Sequence, residues 1–339
     1  MHINYIKDKN MKKMFSAIQP TGCIHLGNYI GAIQQWKKYQ NVYDSILCVV
    51  DLHTLTQKQT VSNAVNLSEQ VLSTVAMYLA CGIDPAKTKM FIQSNVSKHV
   101  ELNWILTCLS PIGWLNRMTQ YKNKIGKSTN FAGLMNYPIL MASDVLLYDT
   151  DVVCVGKDQE QHIEFIKNIA NRFNYCFKDI LKVPKSLISV TGSRIMGFDD
   201  PYKKMSKSSN NKENHLISLL DSNDKIKKTI LSSVTDSKIS SDTSHASLGI
   251  ANLCTIIKSI TKLSKEEVEV QYLSKGYLSL KKNVIDLLVN LIEPIRNKYY
   301  RFINDINYIK DILTISEKKV NKIAEVNITK IKNAIGLTY

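Results

Sequence analysis

The sequence predicts an α/β protein built on a doubly wound parallel sheet and followed by an all-helical C-terminal domain. Three observations favour this fold class. From Met14 to about Met196, short apolar runs alternate with longer amphipathic segments, as in strands joined by crossover helices. Beyond residue 214 only helical patterns follow. A chain of 339 residues is also too long for one compact core, so we expect two domains.

Four short apolar runs are the strand candidates, and each is bounded by polar or turn-forming residues. Ligands of such sheets bind at the carboxyl ends of the strands, so we expect functional residues after the first, second and fourth runs. The runs are Met14–Ile18, Ser45–Val50, Lys89–Gln93 and Val152–Val155.

The helix candidates carry apolar residues at helical spacing, and Pro138 is expected to kink one of them. In the first part of the chain they are Val61–Ala80, Glu101–Leu109, Gly133–Tyr148 and Gln159–Cys176. In the second part they are Asp224–Val234, Leu248–Leu263, Lys265–Leu273, Leu278–Tyr300 and a last helix from about Ser316.

Composition narrows the class of protein and its compartment. A net charge of +15, from 44 Lys and Arg against 29 Asp and Glu, points to a polyanionic partner, although a lysine-, asparagine- and isoleucine-rich composition would also inflate it. The seven cysteines are scattered without a C-x-x-C pair, which predicts reduced thiols in a cytoplasm and argues against a zinc site. No apolar run approaches the roughly 20 residues that cross a bilayer. Residues 1–13 lack a secretory apolar region and are expected to form a flexible extension, unless translation starts at Met11 or Met14.

The turn after the first strand, from Pro20 to Tyr29, has the features of an anion site. The first turn of a helix leaves backbone N–H groups unpaired, and its dipole favours negative charge. Gly22 and Gly27 would let the backbone approach a phosphate, and His25 and Asn28 add neutral donors. A purely structural turn fits these residues equally well.

A second stretch, Lys203–Ser208, places lysines among small hydroxyl residues. Lys204 and Lys207 would suit a charge-rich leaving group such as pyrophosphate. A solvated linker is the alternative for such a segment.

These two stretches together, H-x-G-N at 25–28 and K-M-S-K-S at 204–208, resemble the paired motifs of class I aminoacyl-tRNA synthetases. Further blocks resemble the bacterial-type tryptophanyl-tRNA synthetases: Phe15–Gly22, Gly27–Tyr29, Asn136–Pro138 through Ala142–Asp144, and Gly156–Gln159. The resemblance runs from about Met14 to the C-terminus. It implies a Rossmann-like catalytic domain over residues 14–208 and a helical tRNA anticodon-binding domain over 209–339, whose last helix packs back on the catalytic domain. It also implies ligation of L-tryptophan to tRNA(Trp), a homodimer and a cytoplasmic location.

The resemblance assigns a tryptophan pocket residue by residue. Asp144 matches the carboxylate that accepts a hydrogen bond from the indole N–H, and its apolar neighbours make a helix-surface position unattractive. Tyr137 and Gln159 match contacts to the ammonium and carboxylate of the substrate. His53 matches a position near the ring edge, although a satisfied core histidine is nearly as good an interpretation. The apolar walls would be Phe15, Met141, Val153 and Val155.

For ATP, the resemblance implies contacts from both ends of the first part of the chain. Gln19, Pro20, Thr21, His25, Gly27 and Asn28 match the turn, Gly156, Lys157 and Asp158 the ribose, and Ile195 the adenine. Lys204, Met205, Ser206, Lys207 and Ser208 match the pyrophosphate loop, and Lys124 matches a lysine of a phosphate-sensing loop in which Lys122 or Lys127 could substitute. Three positions depart from the usual pattern: Ala17, Lys157 and Ser209.

The implied reaction is attack of the tryptophan carboxylate on the α-phosphorus of ATP, followed by transfer of tryptophan to a ribose hydroxyl of the tRNA. Such chemistry needs positioning and charge neutralisation, so Lys124, Lys204 and Lys207 would stabilise pyrophosphate together with Mg²⁺ that the phosphates mainly hold. Two other classes fit less well. A nucleotidyltransferase would share the H-x-G turn but not the second motif, and a non-catalytic tRNA-binding paralogue would be expected to lack that motif or Asp144. Tyrosyl-tRNA synthetase is the nearest competitor within the class.

Overall fold

The computed structural model describes residues 11–20, 22–56, 61–124, 131–188, 194–206, 214–235 and 246–338. For residues 61–65, 123, 124, 157 and 188 it describes the backbone alone. The chain divides into two compact units. The first unit contains the described residues within 11–20, 36–188 and 303–338, and the second contains those within 22–35 and 194–302.

The first unit is built on a five-stranded parallel sheet with the strand order β3-β2-β1-β4-β5. The strands are β1 Lys13–Ile18, β2 Asp44–Val49, β3 Thr88–Ile92, β4 Val152–Val155 and β5 Lys185–Ile188. The chain builds outward from β1 to β3 and then crosses to the other side of β1 to form β4. The predicted doubly wound sheet is therefore confirmed, and its switch point lies between β1 and β4.

Four of these strands match the predicted runs to within a residue or two, but β5 was not predicted. Its four residues, Lys-Ser-Leu-Ile, lie at the edge of the sheet and pair only with β4 among the described strands. An edge strand buries little on its outer side, so its sequence carries a weak apolar signal.

Helices flank the sheet and fill much of the remaining chain. In the first part the longer helices are Val61–Ala80, Lys98–Leu109, Ala132–Leu146 and Glu160–Cys176, and the shorter ones are Gln34–Tyr39, Ile112–Asn116 and Thr119–Lys124. Short 3₁₀ turns occupy Leu52–Thr56, Gln93–Asn95 and Lys157–Gln159, directly after β2, β3 and β4. Each of these turns follows the carboxyl end of a strand, where a parallel sheet presents its functional residues.

The last helix, Ile306–Ala334, packs into the core of the first unit. Its apolar residues are buried together with residues of the sheet and of the helices Ala132–Leu146 and Glu160–Cys176. Asn327 donates to the Leu147 carbonyl at 3.0 Å. The helix begins ten residues before the predicted Ser316 because Asp305 caps it, accepting from the backbone N–H of Tyr308 at 3.1 Å.

The second unit is mainly helical. Its helices are Leu26–Asn28, Asn223–Leu231, Leu248–Thr261, Lys265–Val268 and Tyr277–Ile303, with π-helical turns at Tyr29–Ile33 and Glu269–Leu273. A buried lysine, Lys281, donates to the carbonyls of Leu231 at 3.0 Å and Ser233 at 2.9 Å, and so satisfies the C-terminal end of the helix Asn223–Leu231.

The boundary predicted after Ser208 lies outside the described residues and stays a prediction. The compact units follow a different division, because residues 22–35 group with the second unit and residues 303–338 with the first. Among the described residues, no helix combines the length and apolarity that crossing a membrane requires.

Candidate active site

A buried carboxylate lies at the centre of the polar cluster in the first unit. Asp144 belongs to the helix Ala132–Leu146 and is 1% exposed. Tyr137 and Met141 precede it by seven and three residues, so the three share one face of the helix. The structure places Tyr137 and Met141 half-buried on that face.

The donors to Asp144 come from the ends of neighbouring elements. His53, in the turn after β2, places Nε2 2.8 Å from Oδ2. Gln93, directly after β3, donates from Nε2 to Oδ1 at 2.7 Å. Its amide is oriented by the backbone N–H of Leu52, which donates to Oε1 at 3.1 Å. His99 places Nδ1 2.7 Å from Oδ1, although its N–H direction is not aligned with that oxygen.

These contacts keep the carboxylate ionised in spite of its burial. Burial alone raises the pKa of Asp144, but the contacts with His53 and His99 outweigh it and hold that pKa well below its ordinary value. A carboxylate oxygen accepts about two hydrogen bonds. Oδ1 has two close partners and Oδ2 has one, so Oδ2 retains an acceptor position among the contacts of the described residues.

Tyr148 contacts both His99 and the aromatic ring of Phe15. Tyr148 places its hydroxyl 2.8 Å from His99 Nε2. The ring of Tyr148 stacks on Phe15 of β1 with centroids 6.0 Å apart. Phe15 is in register with Val153 of β4, and both are buried, whereas Val155 at the end of β4 is half-buried. The structure therefore places these predicted wall residues around the core that supports Asp144.

Tyr137 is held by a separate set of hydrogen bonds. Its hydroxyl donates to Gln120 Oε1 at 3.1 Å and lies 2.8 Å from His162 Nε2. Burial lowers the pKa of His162 to about 4, against the opposing charge of Asp158, so the imidazole is neutral near pH 7. The ring of Tyr137 also meets the ring of His53 edge to face, with centroids 6.2 Å apart. Tyr137 and His53 are thus neighbours, and their assignment to one tryptophan pocket stays a prediction.

The turn after β4 holds four further predicted residues, Gly156, Lys157, Asp158 and Gln159. The backbone N–H of Gln159 donates to the Gly156 carbonyl at 2.9 Å, and its side-chain amide donates to Asp158 Oδ2 at 3.1 Å. A Cβ at Gly156 would lie 2.7 Å from Asp158 Oδ1. The amide of Gln159 therefore contacts Asp158 and not Tyr137. Gln19 is half-buried and Pro20 is buried at the end of β1.

The second unit brings the two signature motifs together. The Leu26 N–H donates to the Ile217 carbonyl at 2.9 Å, and His25 pairs with Ser218 in an antiparallel bridge. The His25 N–H donates to Asn28 Oδ1 at 3.2 Å. A Cβ at Gly27 would lie 3.1 Å from the His25 ring and 3.6 Å from Met205 Sδ. The glycine of the first motif therefore packs against the methionine of the second, which lies 178 residues later in the chain (205 − 27).

The start of the second motif is one arm of a short hairpin. Met196 and Lys204 form an antiparallel bridge, and the Met205 N–H donates to the carbonyl of the predicted adenine contact Ile195 at 3.0 Å. Asn252 fixes this hairpin to the helix Leu248–Thr261, because its amide exchanges two hydrogen bonds with the backbone of Met196, at 2.9 and 3.1 Å. Lys204 is exposed, Ser206 is half-buried, and Ile195 and Met205 are buried.

Some predicted residues lie outside what the structure describes. Thr21, Lys207 and Ser208 are not among the described residues, and neither are the side chains of Lys124 and Lys157. Their assigned roles stay predictions.

Sequence reasoning missed the residues that support the predicted ones. They are Gln93, His99 and Tyr148 around Asp144, Gln120 and His162 around Tyr137, and Asn252 at the hairpin. Gln93 carried a usable signal, since it ends a predicted strand. The others lie on helices or, for Tyr148, in the turn after a helix, and their partners are distant in the sequence.

The chain is similar to known proteins over nearly its whole length. The family model described as tRNA synthetases class I (W and Y) matches residues 7–293. The chain is 42% identical to a tryptophan–tRNA ligase of Clostridium acetobutylicum, over 97% of this chain and 98% of the relative. It is likewise 42% identical to one of Wolinella succinogenes, over 96% and 99%.

Solved structures give the same result. Tryptophanyl-tRNA synthetase from Mycoplasma pneumoniae superposes with a TM-score of 0.86 at 32% identity, covering 97% of this chain and 98% of that one. The Campylobacter jejuni enzyme, complexed with ADP and tryptophan, gives a TM-score of 0.80 at 32% identity, covering 96% and 99%. The match of the family model over most of the chain and the identities above 30% at nearly full coverage show that the chain belongs to the class I tRNA synthetases (W and Y).

Proposed function

We propose that this chain is a tryptophan–tRNA ligase that activates L-tryptophan with ATP and transfers it to tRNA(Trp). One observation supports the choice of amino acid more than any other. Asp144 is an ionised, buried carboxylate whose Oδ2 keeps an acceptor position within the part of the chain that the structure describes. Such a group favours a ligand that offers a buried N–H donor, because a ligand without one leaves the acceptor unpaired at a cost of about 1–3 kcal/mol.

In this proposal the first unit recognises the amino acid. Asp144 accepts the indole N–H, and His53 lies at the ring edge while it also orients the carboxylate. Phe15, Met141, Val153 and Val155 form the apolar walls. Tyr137 and Gln159 bind the ammonium and carboxylate groups. The half-buried Tyr137 hydroxyl supports this role, because His162 and Gln120 hold it in one place.

The two signature motifs bind ATP. His25, Gly27 and Asn28 contact the phosphates with Gln19, Pro20 and Thr21, and Gly156, Lys157 and Asp158 contact the ribose. Ile195 lies beside the adenine, and Lys204, Met205, Ser206, Lys207 and Ser208 bind the pyrophosphate end, with Lys124. The packing of Gly27 near Met205 supports a common role for the two motifs. Within the described residues no three His, Cys, Asp or Glu side chains are grouped to hold a metal ion. In this proposal Mg²⁺ would be held mainly by the ATP phosphates and would neutralise part of their charge.

The residues then act by positioning and by charge. A carboxylate oxygen of tryptophan forms a bond to the α-phosphorus as the bond to the bridging oxygen of the β-phosphate breaks, which gives tryptophanyl-adenylate and pyrophosphate. Lys124, Lys204 and Lys207 stabilise the charge that develops on the pyrophosphate, and none of them forms a covalent bond. A ribose hydroxyl of the terminal tRNA adenosine, the 2′-hydroxyl in this class, then attacks the carbonyl carbon, and AMP leaves.

The tRNA and a second copy of the chain are the proposed macromolecular partners, in the cytoplasm. The net charge of +15 favours phosphate contacts. For the second copy, the helix Lys98–Leu109 presents an exposed stripe at a spacing of four residues: Val100, Trp104 and Cys108. Trp104 is 69% exposed and the following Ile112 is 67% exposed. Apolar surface of this kind is typical of interaction sites.

The experiment that tests the function is ATP–pyrophosphate exchange with each amino acid in turn. We expect exchange with tryptophan, and charging of tRNA(Trp) in a second assay. Exchange with tyrosine instead would assign the chain to the other amino acid of its family. Absence of exchange with any amino acid would refute the proposed activity.

A further inference from the structure

A buried histidine contacts both arms of the hairpin that begins the second signature motif. His215 is 2% exposed and lies in the second unit. Its ring places Nδ1 2.5 Å from Asp199 Oδ1, and Nε2 3.4 Å from the carbonyl oxygen of Lys204. Its backbone carbonyl accepts from the Phe198 N–H at 3.1 Å. One residue thus joins the turn of the hairpin to the backbone of Lys204.

A glycine in the hairpin, Gly197, leaves the space that the His215 ring occupies. A Cβ at Gly197 would lie 2.2 Å from His215 Cε1 and 2.5 Å from Nδ1, distances that real Cβ atoms essentially never show. The backbone of Gly197 is not in the left-handed region, so an alanine there would be tolerated apart from the ring. The absence of a side chain at Gly197 therefore makes room for the His215 ring.

Both ring nitrogens face acceptors, a carboxylate and a carbonyl, and donation to both requires a proton on each nitrogen. Asp199 thereby fixes the rotation of the ring, and the ring in turn orients the Lys204 carbonyl. The Gly197 N–H donates to the Lys203 carbonyl at 2.8 Å, so the two arms are also joined directly beside the histidine.

We infer that His215, oriented by Asp199 and admitted by Gly197, is a positioning residue that holds the backbone of Lys204 where its ammonium meets the pyrophosphate end of ATP. This inference rests on the proposed contact of Lys204 with pyrophosphate. In this inference His215 acts through Lys204 and not by a contact of its own with the substrate. Because it acts on the transition-state contact and not on tryptophan, its loss should lower kcat of adenylate formation and leave the tryptophan KM unchanged.

The test is tryptophan-dependent ATP–pyrophosphate exchange by a set of folded variants. We expect His215→Ala to lower kcat by roughly 10-fold, with the tryptophan KM within about 2-fold of wild type. His215→Gln places a donor near the former Nε2 and should recover kcat to within about 3-fold. Gly197→Ala should match His215→Ala, and the double variant should be no worse than either, because both remove the same ring contact.

Two controls separate this role from stability and from the proposed function. Lys281→Met removes the buried ammonium that contacts Leu231 and Ser233, so it should lower the melting temperature of the protein without lowering kcat. Lys204→Ala tests the premise, and normal exchange by that variant would overturn both the premise and the inference. Impaired Lys204→Ala with wild-type kcat in His215→Ala and Gly197→Ala would overturn the inference alone. A His215→Gln variant no better than His215→Ala would also overturn it.

Discussion

The strongest prediction concerns the Asp144→Asn substitution, which keeps the shape of the side chain and removes its charge. The amide offers one acceptor and one NH₂ group where the carboxylate offers two acceptors. Oδ1 faces Gln93, whose Oε1 already accepts from Leu52, so the new oxygen is expected at that position. The NH₂ group then faces His53, which can accept it on Nε2 by changing tautomer. The indole N–H would meet a donor in place of an acceptor.

The magnitude follows from that exchange. A hydrogen bond to a charged group contributes about 1.5–3 kcal/mol, and about 1.4 kcal/mol corresponds to tenfold in Kd, so tryptophan binding should weaken by roughly 10- to 150-fold. The KM for ATP, measured at saturating tryptophan, should stay close to that of wild type.

The assay compares tryptophan with its benzothiophene isostere, 3-(3-benzothienyl)alanine, in which sulfur replaces the N–H. In wild type, kcat/KM for exchange should strongly favour tryptophan. In Asp144→Asn that preference should fall by roughly 10- to 100-fold, while the isostere is used nearly as before. Asp151→Asn is the matched control, because it removes another paired carboxylate of the first unit that contacts Lys182 and the backbone of Lys13. Equal losses with both substrates in Asp144→Asn would refute the assigned contact.

Three further substitutions test the surroundings of these sites. Burial holds the pKa of His162 at about 4 against an ordinary 6.5, so the unfolded chain takes up the proton at a higher pH than the folded chain. The free energy of unfolding should therefore fall by roughly 3 kcal/mol as the pH drops from 6.5 to 4. The His162→Gln variant should flatten that pH dependence in urea titrations, and an unchanged dependence would contradict this prediction. Trp104→Glu should convert a dimer to a monomer in sedimentation, and a wild-type dimer would exclude this stripe from the interface. Asn252→Ala removes both hydrogen bonds to Met196, so it should lower kcat for exchange with the tryptophan KM unchanged; normal kcat would show that the hairpin holds its place without them.

Much of the fold could be predicted because its signals are local. The helix Val61–Ala80 has the predicted bounds, and β4 Val152–Val155 does too, since hydrophobic periodicity and flanking turns lie in the same stretch of chain. The start of the last helix was missed even though the residues after its cap, Asp305, carry apolar side chains at helical spacing: Ile306, Ile309, Ile312 and Leu313. β5 was missed because an edge strand of four residues carries almost no periodic signal.

The site residues likewise fall into those that the sequence could predict and those that it could not. The apolar neighbours of Asp144 in the sequence predicted its burial, and burial is what the structure shows. The sequence left His53 between a ligand contact and a satisfied core histidine, and the structure gives it a hydrogen bond to the very carboxylate assigned to the ligand. Gln93 and His99 could not be assigned from the sequence, because their link to Asp144 depends on crossover connections that bring residues 45 to 51 positions apart together (144 − 99 and 144 − 93).

The donors around Asp144 explain how a buried charge can serve as a selector. Removing a carboxylate from water is costly unless hydrogen bonds replace the lost hydration, and here the fold supplies them before any ligand arrives. The close partners are amide and imidazole groups from three separate elements, so each is held by the packing of its own element. None of them is a lysine or arginine that would pair with the carboxylate in a fork. Among the described residues the carboxylate therefore keeps one acceptor site on Oδ2, and in the proposed function a ligand with a matching N–H would complete the set while one without it would leave a desolvated oxygen unpaired.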